Sequence, residues 1–187
     1  MIPIKNSITF VVFIYIVYGI SLFTPIANYG IIPRSVNGLI GIITSPFLHG
    51  GISHLISNTA PLIILLTVLN YFYPKKSVSV ILFTIIVGGI LVWVFARNGN
   101  HIGASGLIYG LVAFLVVNGF LEKKFVPVLV SIAVALAYWG LIWGILPSLE
   151  SYISWEGHLF GAIAGVLIAF MLNKNKPKSS FIKTNRR

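Results

Sequence analysis

Residues 101–122 read HIGASGLIYGLVAFLVVNGFLE. A Gly-Ala-Ser-Gly turn opens an apolar run over about 104–121, which is long enough to cross a bilayer as a helix. Lys123 and Lys124 follow the run directly. A polar turn, an apolar helix and a basic end are typical of a transmembrane span, and the same pattern recurs along the chain.

The composition of the whole chain agrees with a membrane protein. Of 187 residues, 57% are hydrophobic and 9% are charged, whereas about 25% of the residues of an ordinary soluble domain are charged. Six segments are apolar and long enough to span: roughly 8–24, 52–72, 78–96, 104–121, 125–146 and 155–172. We therefore predict an all-α, polytopic membrane protein with a six-helix bundle in one domain, residues 1–172, and a basic, disordered tail, residues 173–187.

The distribution of basic residues predicts the orientation. Eleven of the 13 Lys and Arg residues lie on one side of a six-span drawing: Lys5, Lys75, Lys76, Lys123, Lys124, Lys174, Lys176, Lys178, Lys183, Arg186 and Arg187. By the positive-inside rule both termini are cytoplasmic, and the loops at about 25–51, 97–103 and 147–154 face outward. The net charge of +10 is thus a topology signal and not a sign of nucleic-acid binding. The first span could instead be a signal peptide, but no small-residue cleavage site follows it.

The residue types that are missing exclude several kinds of chemistry. The chain has no cysteine, which excludes disulfides, thiolate nucleophiles and cysteine-bound zinc. It also has no aspartate, which excludes an aspartyl dyad and a Ser-His-Asp triad. No His-Glu-x-x-His motif occurs. We therefore predict neither a metal nor a cofactor.

Polar side chains inside three of the predicted spans converge at one depth. His54 and Asn58 lie four apart near the outer start of the second span, Ser105 and Tyr109 have the same spacing in the fourth, and His158 lies near the outer start of the sixth. An ionisable or polar group in a span is a functional-site hypothesis by default. The free N–H groups and the positive dipole end of the helix that starts at Ser105 would favour a developing oxyanion there.

Glycines predict that the fourth and sixth spans pack closely. Small residues recur four apart on each of these spans: Gly106, Gly110, Gly161 and Gly165. Such helices pack backbone to backbone, which brings Ser105 within hydrogen-bond reach of His158 as a Ser-His dyad. His158 would remove the serine proton, Tyr109 could hold the imidazole, and the oxyanion would receive donors from His54, Asn58 and the Ser105 backbone.

Other interpretations compete with this one. The serine and the glycines could serve helix packing alone, and His54 and Asn58 could bridge helices. His101, four residues before Ser105, is a rival base, although Gly99 and Gly103 favour a loop there. A small transporter could use His54, His158 and Glu156 as a proton path, but no inverted repeat is present. A pseudoprotease that binds membrane segments without cutting them would be expected to lack the serine or the histidine.

Over residues 45–170 the sequence resembles the six-span core of bacterial-type rhomboid intramembrane serine proteases. Three motifs carry the resemblance, and they occur in order on the second, fourth and sixth spans. They are Phe47-Leu48-His49-Gly50-Gly51 with His54 and Asn58, then Gly103-Ala104-Ser105-Gly106 with Tyr109, and finally Ser154-Trp155-Glu156-Gly157-His158-Leu159-Phe160-Gly161 with Gly165.

The resemblance implies roles for these residues. Ser105 is the nucleophile, His158 the base, His54 and Asn58 belong to the oxyanion site, and Tyr109 stacks on His158. It also implies transmembrane protein substrates within the lipid bilayer, cut near the outer membrane face after a small residue, and a location in a bacterial inner membrane. The sequence departs from the family in its first outer loop. Where rhomboids often carry a Trp-Arg pair, it reads Val36-Asn37-Gly38-Leu39-Ile40-Gly41.

Overall fold

The computed structural model describes residues 2–147 and 154–174, and the elements within them are helical. In chain order the α-helices are α1 Ile2–Ser21, α2 Gly41–Thr44, α3 Ile52–Phe72, α4 Ser77–Phe95, α5 Ser105–Glu122, α6 Phe125–Ala137 and α7 Trp155–Lys174. Short 3-10 turns lie at Pro25–Asn28, Val36–Gly38 and Ser45–Phe47, and a longer one lies at Trp139–Ile145. The predicted tail from residue 175 onward lies outside the described residues, as does most of the predicted loop at 147–154.

The predicted all-α membrane bundle is confirmed. Five helices are long and apolar enough to cross a membrane, and the number is six when α6 and the 3-10 helix after it are counted as one bent span. The first span differs slightly from the prediction, because α1 begins at Ile2 and not near residue 8. Phe114, Leu111 and Leu115 of α5 are fully buried, so α5 is the central helix of the bundle.

The fifth span is bent, whereas the sequence predicted one continuous span over 125–146. Helix α6 has 13 residues, so it is only about 20 Å long and falls short of the roughly 30 Å hydrocarbon core. After Ala137 the chain turns by 62° and continues as the 3-10 helix Trp139–Ile145, which we call the bent segment. Hydropathy alone does not distinguish a straight span from a bent one, because both have the same apolar composition.

Helices α5 and α7 approach each other backbone to backbone, at the glycines that the sequence singled out. A Cβ atom added at Gly161 would overlap the carbonyl oxygen of Gly106, and one added at Gly165 would overlap that of Gly110. Lipid chains are as apolar as leucine, so helices in a membrane associate through close packing of this kind and not through hydrophobic burial. The two helices therefore lie so close together that no side chain fits between them at these glycines.

The outer loop between α1 and α3 is bound to the end of α4 without the Trp-Arg pair typical of the family. Arg34, which adopts φ +58°, donates a hydrogen bond of 2.7 Å to the Ala96 carbonyl and one of 2.6 Å to the Asn98 side chain. The indole of Trp93 donates to the Ser35 carbonyl at 2.8 Å. Arg34 thus satisfies a free carbonyl at the C-terminus of α4, where a positive charge is also favourable.

At the opposite end of the bundle, polar side chains link α4, α5 and α7. Lys76 contacts Glu122 at 2.9 Å and Asn118 at 3.2 Å. Asn173 donates to the same Asn118 oxygen at 2.8 Å. Asn118 is completely buried, so these contacts satisfy a polar group that would otherwise be desolvated without a partner.

The packing of α5 against α7 can be tested at Gly165, away from the polar site. Gly165→Ala should destabilise the protein by about 1–3 kcal/mol, because its Cβ meets backbone that cannot move as a flexible side chain would. The matched control is Gly19→Ala on α1, where a Cβ would have no atom within 4 Å. Thermal unfolding of both variants in the same detergent measures the effect. Equal melting temperatures would show that α5 and α7 are not packed as described.

Candidate active site

Ser105 is the first residue of α5, at the point where the chain turns into the helix. The turn needs Gly103, whose φ of +120° lies in a region that side chains rarely adopt. The Gly103 N–H donates to the Ser45 carbonyl at 2.9 Å, which fixes the turn against the outer loop. A side chain at Gly103 would also collide with the His54 imidazole. The turn therefore places Ser105 at a helix N-terminus and close to His54.

The structure brings Ser105 and His158 together. Nε2 of His158 lies 2.9 Å from Oγ of Ser105, and Nδ1 lies 2.8 Å from the Gly144 carbonyl oxygen. A carbonyl oxygen can only accept a hydrogen bond, so Nδ1 carries the proton in the neutral ring and Nε2 presents its lone pair to the serine hydroxyl. This is the tautomer that a general base for Ser105 requires.

Tyr109 lies flat on the His158 ring. The two ring centroids are 4.2 Å apart and the planes differ by 5°. Tyr109 lies one helical turn after Ser105, so the helix that carries the serine also carries the ring that orients the histidine. The stacking and the Gly144 carbonyl together restrict both the tilt and the rotation of the imidazole.

His54 and Asn58 of α3 share a cavity with the Ser-His pair. The cavity has a volume of about 700 Å³. Its polar lining residues are Ser53, His54, Ser57, Asn58, Ser105, Tyr109, Ser154 and His158. The predicted site residues of the second, fourth and sixth spans thus face one space, as the spacing of polar residues in the sequence required.

Asn58 is already hydrogen-bonded in this arrangement. Its Nδ2 donates to the His54 carbonyl at 2.8 Å and lies 3.4 Å from Nε2 of His49. Burial and the neighbouring His54 lower the pKa of His49 to about 4, against a smaller opposing effect of the Phe47 backbone. His49 is therefore neutral at neutral pH and can accept a hydrogen bond from the Asn58 amide. It supports Asn58 from behind and lines a separate, small cavity.

His101, the rival base, is used elsewhere. Its Nε2 donates to the Arg97 carbonyl at 2.9 Å, so its Nδ1 accepts from the Ser154 hydroxyl at 2.7 Å. Glu156, which the transporter interpretation needed, is 3% exposed and forms an ion pair of 3.2 Å with Arg97. Both groups connect the loop before Ser105 to the start of α7. Among the described residues no group of three or more His, Asp or Glu side chains could hold a metal ion.

Two residues of the site were not predicted from the sequence. The first is Gly144, because its contribution is a backbone carbonyl, which has no sequence signature. The second is Ser154, which the third motif contains but to which no role was assigned; its Oγ accepts from the Gly157 N–H at 3.2 Å at the start of α7. A serine three residues before a helical N–H is a recognisable N-cap pattern, so this role could have been inferred.

Comparison with known proteins agrees with this geometry. A family model described as the Rhomboid domain matches residues 36–175, which are 140 of the 187 residues. The chain belongs to the rhomboid family. Rhomboid proteins are generally intramembrane serine proteases that act on transmembrane substrates within the bilayer, so this rhomboid is a multi-pass membrane protein of a protease family.

Similar proteins occur in bacteria and plants. An uncharacterized protein of Mycobacterium tuberculosis is 33% identical to this rhomboid over 96% of the chain and 80% of the relative. One of Mycobacterium leprae is 33% identical over 94% of the chain and 74% of the relative. The RHOMBOID-like protein 4 of Arabidopsis thaliana is 25% identical over 70% of the chain and 33% of the relative.

Proposed function

We propose that this rhomboid is an intramembrane serine endopeptidase in which Ser105 and His158 form the catalytic dyad. The observation that carries the proposal is the 2.9 Å contact between Nε2 of His158 and Oγ of Ser105, with Nδ1 held by a carbonyl. A serine is a weak nucleophile unless a base lies within hydrogen-bond reach, and the base must be oriented by a third group. The geometry meets both conditions.

The proposed reaction has two steps, acylation and deacylation. Nε2 of His158 takes the hydroxyl proton as Oγ of Ser105 attacks the carbonyl carbon of the substrate. The carbon–nitrogen bond then breaks, and Nε2 returns the proton to the leaving amine. In the second step water attacks the acyl-serine and transfers a proton to Nε2. The carbon–Oγ bond breaks, the substrate leaves as a carboxylic acid, and Ser105 regains its proton.

Three groups near Ser105 are our candidates for donors to the oxyanion. The N–H of Ser105 belongs to the first turn of α5, where backbone N–H groups have no acceptor within the helix. His54 and Asn58 line the same cavity as Ser105. To act as a donor, Asn58 would give up its 3.4 Å contact with His49, which is the weaker of its two contacts. We propose these three groups as the oxyanion site.

The position of the dyad along its helices fits a transmembrane substrate. Ser105 begins α5, and His158 is the fourth residue of α7. At 1.5 Å per residue both groups lie within about 5 Å of their helix ends, so water can reach them while the substrate remains in the bilayer. We propose transmembrane protein substrates cut near the outer membrane face after a small residue, without a cofactor.

The dyad is tested by removing each member in turn. Ser105→Ala and His158→Ala should each lower the cleavage rate of a reporter transmembrane substrate by at least about 10³-fold, because nucleophile and base act as one unit. The double variant should be no worse than either single one. Cleavage by purified protein in detergent provides the measurement, and appreciable activity in either single variant would contradict the dyad.

His101→Ala is the matched control for His158→Ala. His101 is buried and bridges Ser154 and Arg97, so we expect a lower melting temperature, equivalent to about 1–3 kcal/mol, with turnover per folded molecule retained. A loss of turnover as large as that of His158→Ala would assign the base to His101 instead.

The oxyanion site is tested at Asn58. Asn58→Ala should lower turnover per folded molecule by at least about tenfold, with little change in KM, because its donor acts on charge that exists only during the reaction. Loss of its two buried contacts should also lower the melting temperature, so turnover is normalised to the amount of folded protein. The control is Thr59→Ala. Thr59 also donates to the carbonyl four residues earlier, at 2.9 Å, but it does not line the cavity. A destabilised Asn58→Ala variant with normal turnover would leave Asn58 a structural residue.

The orientation is tested by labelling. We propose that the protein lies in a bacterial inner membrane with both termini in the cytoplasm, as the positive-inside rule indicates. The chain has no natural cysteine, so single cysteines at the exposed positions Asn100 and Lys75 report without background. An impermeant thiol reagent applied to intact cells should modify the Asn100→Cys variant and leave Lys75→Cys unmodified. The reverse pattern would overturn the orientation.

A further inference from the structure

We propose that Gly144 of the bent segment is a positioning residue for the dyad. Its carbonyl holds the Nδ1–H of His158, which is the role that a carboxylate has in a catalytic triad. The proposal rests on the proposed function, since it concerns the orientation of the base. Gly144 lies on the fifth span, whereas the three sequence motifs lie on the second, fourth and sixth. The proposal therefore gives the fifth span a role in positioning the base.

The Gly144 carbonyl is the acceptor that determines which nitrogen of His158 carries the proton. The 2.8 Å contact of Nδ1 with the Gly144 carbonyl leaves Nε2 as the nitrogen that faces Ser105. Among the acids in residues 2–147 and 154–174, the one near the dyad is Glu156, and it is paired with Arg97. Without the Gly144 carbonyl the imidazole could exchange tautomers, and the tautomer with its proton on Nε2 cannot accept the serine proton.

Gly144 lies too close to Tyr109 and His158 to carry a side chain. A Cβ atom on Gly144 would overlap the Tyr109 hydroxyl oxygen, and it would lie 3.1 Å from Cζ of Tyr109 and 3.2 Å from Nδ1 of His158. The φ of Gly144 is not in the left-handed region, so an alanine could adopt this backbone. A glycine is therefore required for close approach to the two stacked rings and not for the turn itself.

The bent segment contacts the site through one of its sides. Its aromatic side chains point away from the bundle, since Trp139 is 68% and Trp143 is 65% exposed. Gly140 is also exposed, and a Cβ there would have no atom within 4 Å. The bent segment thus contacts His158 and Tyr109 through the side that carries Gly144. A small outward shift would lengthen the carbonyl–imidazole distance directly.

The experiment compares four variants of the full-length protein with the wild type and with Ser105→Ala. Gly144→Ala should lower kcat for a reporter transmembrane substrate by about 10²-fold, the cost of roughly 1 Å of misplacement, with KM nearly unchanged. It should also slow the labelling of Ser105 by a fluorophosphonate, which is small and needs no docking of a membrane segment. Gly140→Ala, in the same segment, should retain wild-type kcat.

Tyr109→Phe provides the rescue. It removes the hydroxyl that a Cβ on Gly144 would overlap but keeps the ring on His158. The double variant Gly144→Ala/Tyr109→Phe should recover to within about threefold of Tyr109→Phe alone, a strong departure from additivity. A general packing defect would instead lower the melting temperature of Gly144→Ala and would not be rescued by Tyr109→Phe.

The outcomes separate this inference from the proposed function. If the wild type cleaves and Gly144→Ala keeps its kcat, or if the double variant stays as slow as Gly144→Ala, the positioning role is overturned while the dyad stands. If neither the wild type nor any variant cleaves or reacts with the fluorophosphonate, the proposed function falls and the inference falls with it.

Discussion

The close backbone contact between α5 and α7 sets the geometry of the site. Gly161 lies against the Gly106 carbonyl and Gly165 against that of Gly110, with no room for a side chain. Ser105 directly precedes the first of these contacts on α5, and His158 lies three residues before Gly161 on α7. The distance between Ser105 and His158 therefore follows from backbone packing. A rotamer change alone would not restore the 2.9 Å contact if the helices separated.

A neutral orienting group suits a histidine in this environment. A second buried carboxylate beside the dyad would have to be desolvated, and in a membrane this cost is offset only by close pairing. The chain orients His158 with a carbonyl at 2.8 Å and an aromatic ring at 4.2 Å. Neither group carries a charge, so the imidazole is held without that desolvation. The absence of aspartate from the sequence is consistent with this solution.

The sequence predicted what depends on side chains and their periodicity, and it failed where backbone groups act. The spans, the start of α5 at Ser105, and the convergence of His54, Asn58 and His158 follow from apolar runs and from polar residues four apart. The 62° bend after α6 leaves the apolar composition unchanged, so hydropathy could not reveal it. The contacts of His158 with the Gly144 carbonyl and of Arg34 with the Ala96 carbonyl were not predicted either, because a backbone carbonyl has no sequence signature.

Polar contacts also join the outer ends of α5 and α7. Arg97 pairs with Glu156, and His101 bonds to Ser154, so the loop before Ser105 is attached to the start of α7. The glycine contacts lie on the other side of the dyad along the same helices. Ser105 and His158 are thus fixed between a polar connection above and a backbone contact below. Glu156 and His101 are ionisable groups within the membrane domain, and their observed contacts join the loop before Ser105 to the start of α7. Ionisable character alone therefore does not single out His158 as the partner of Ser105.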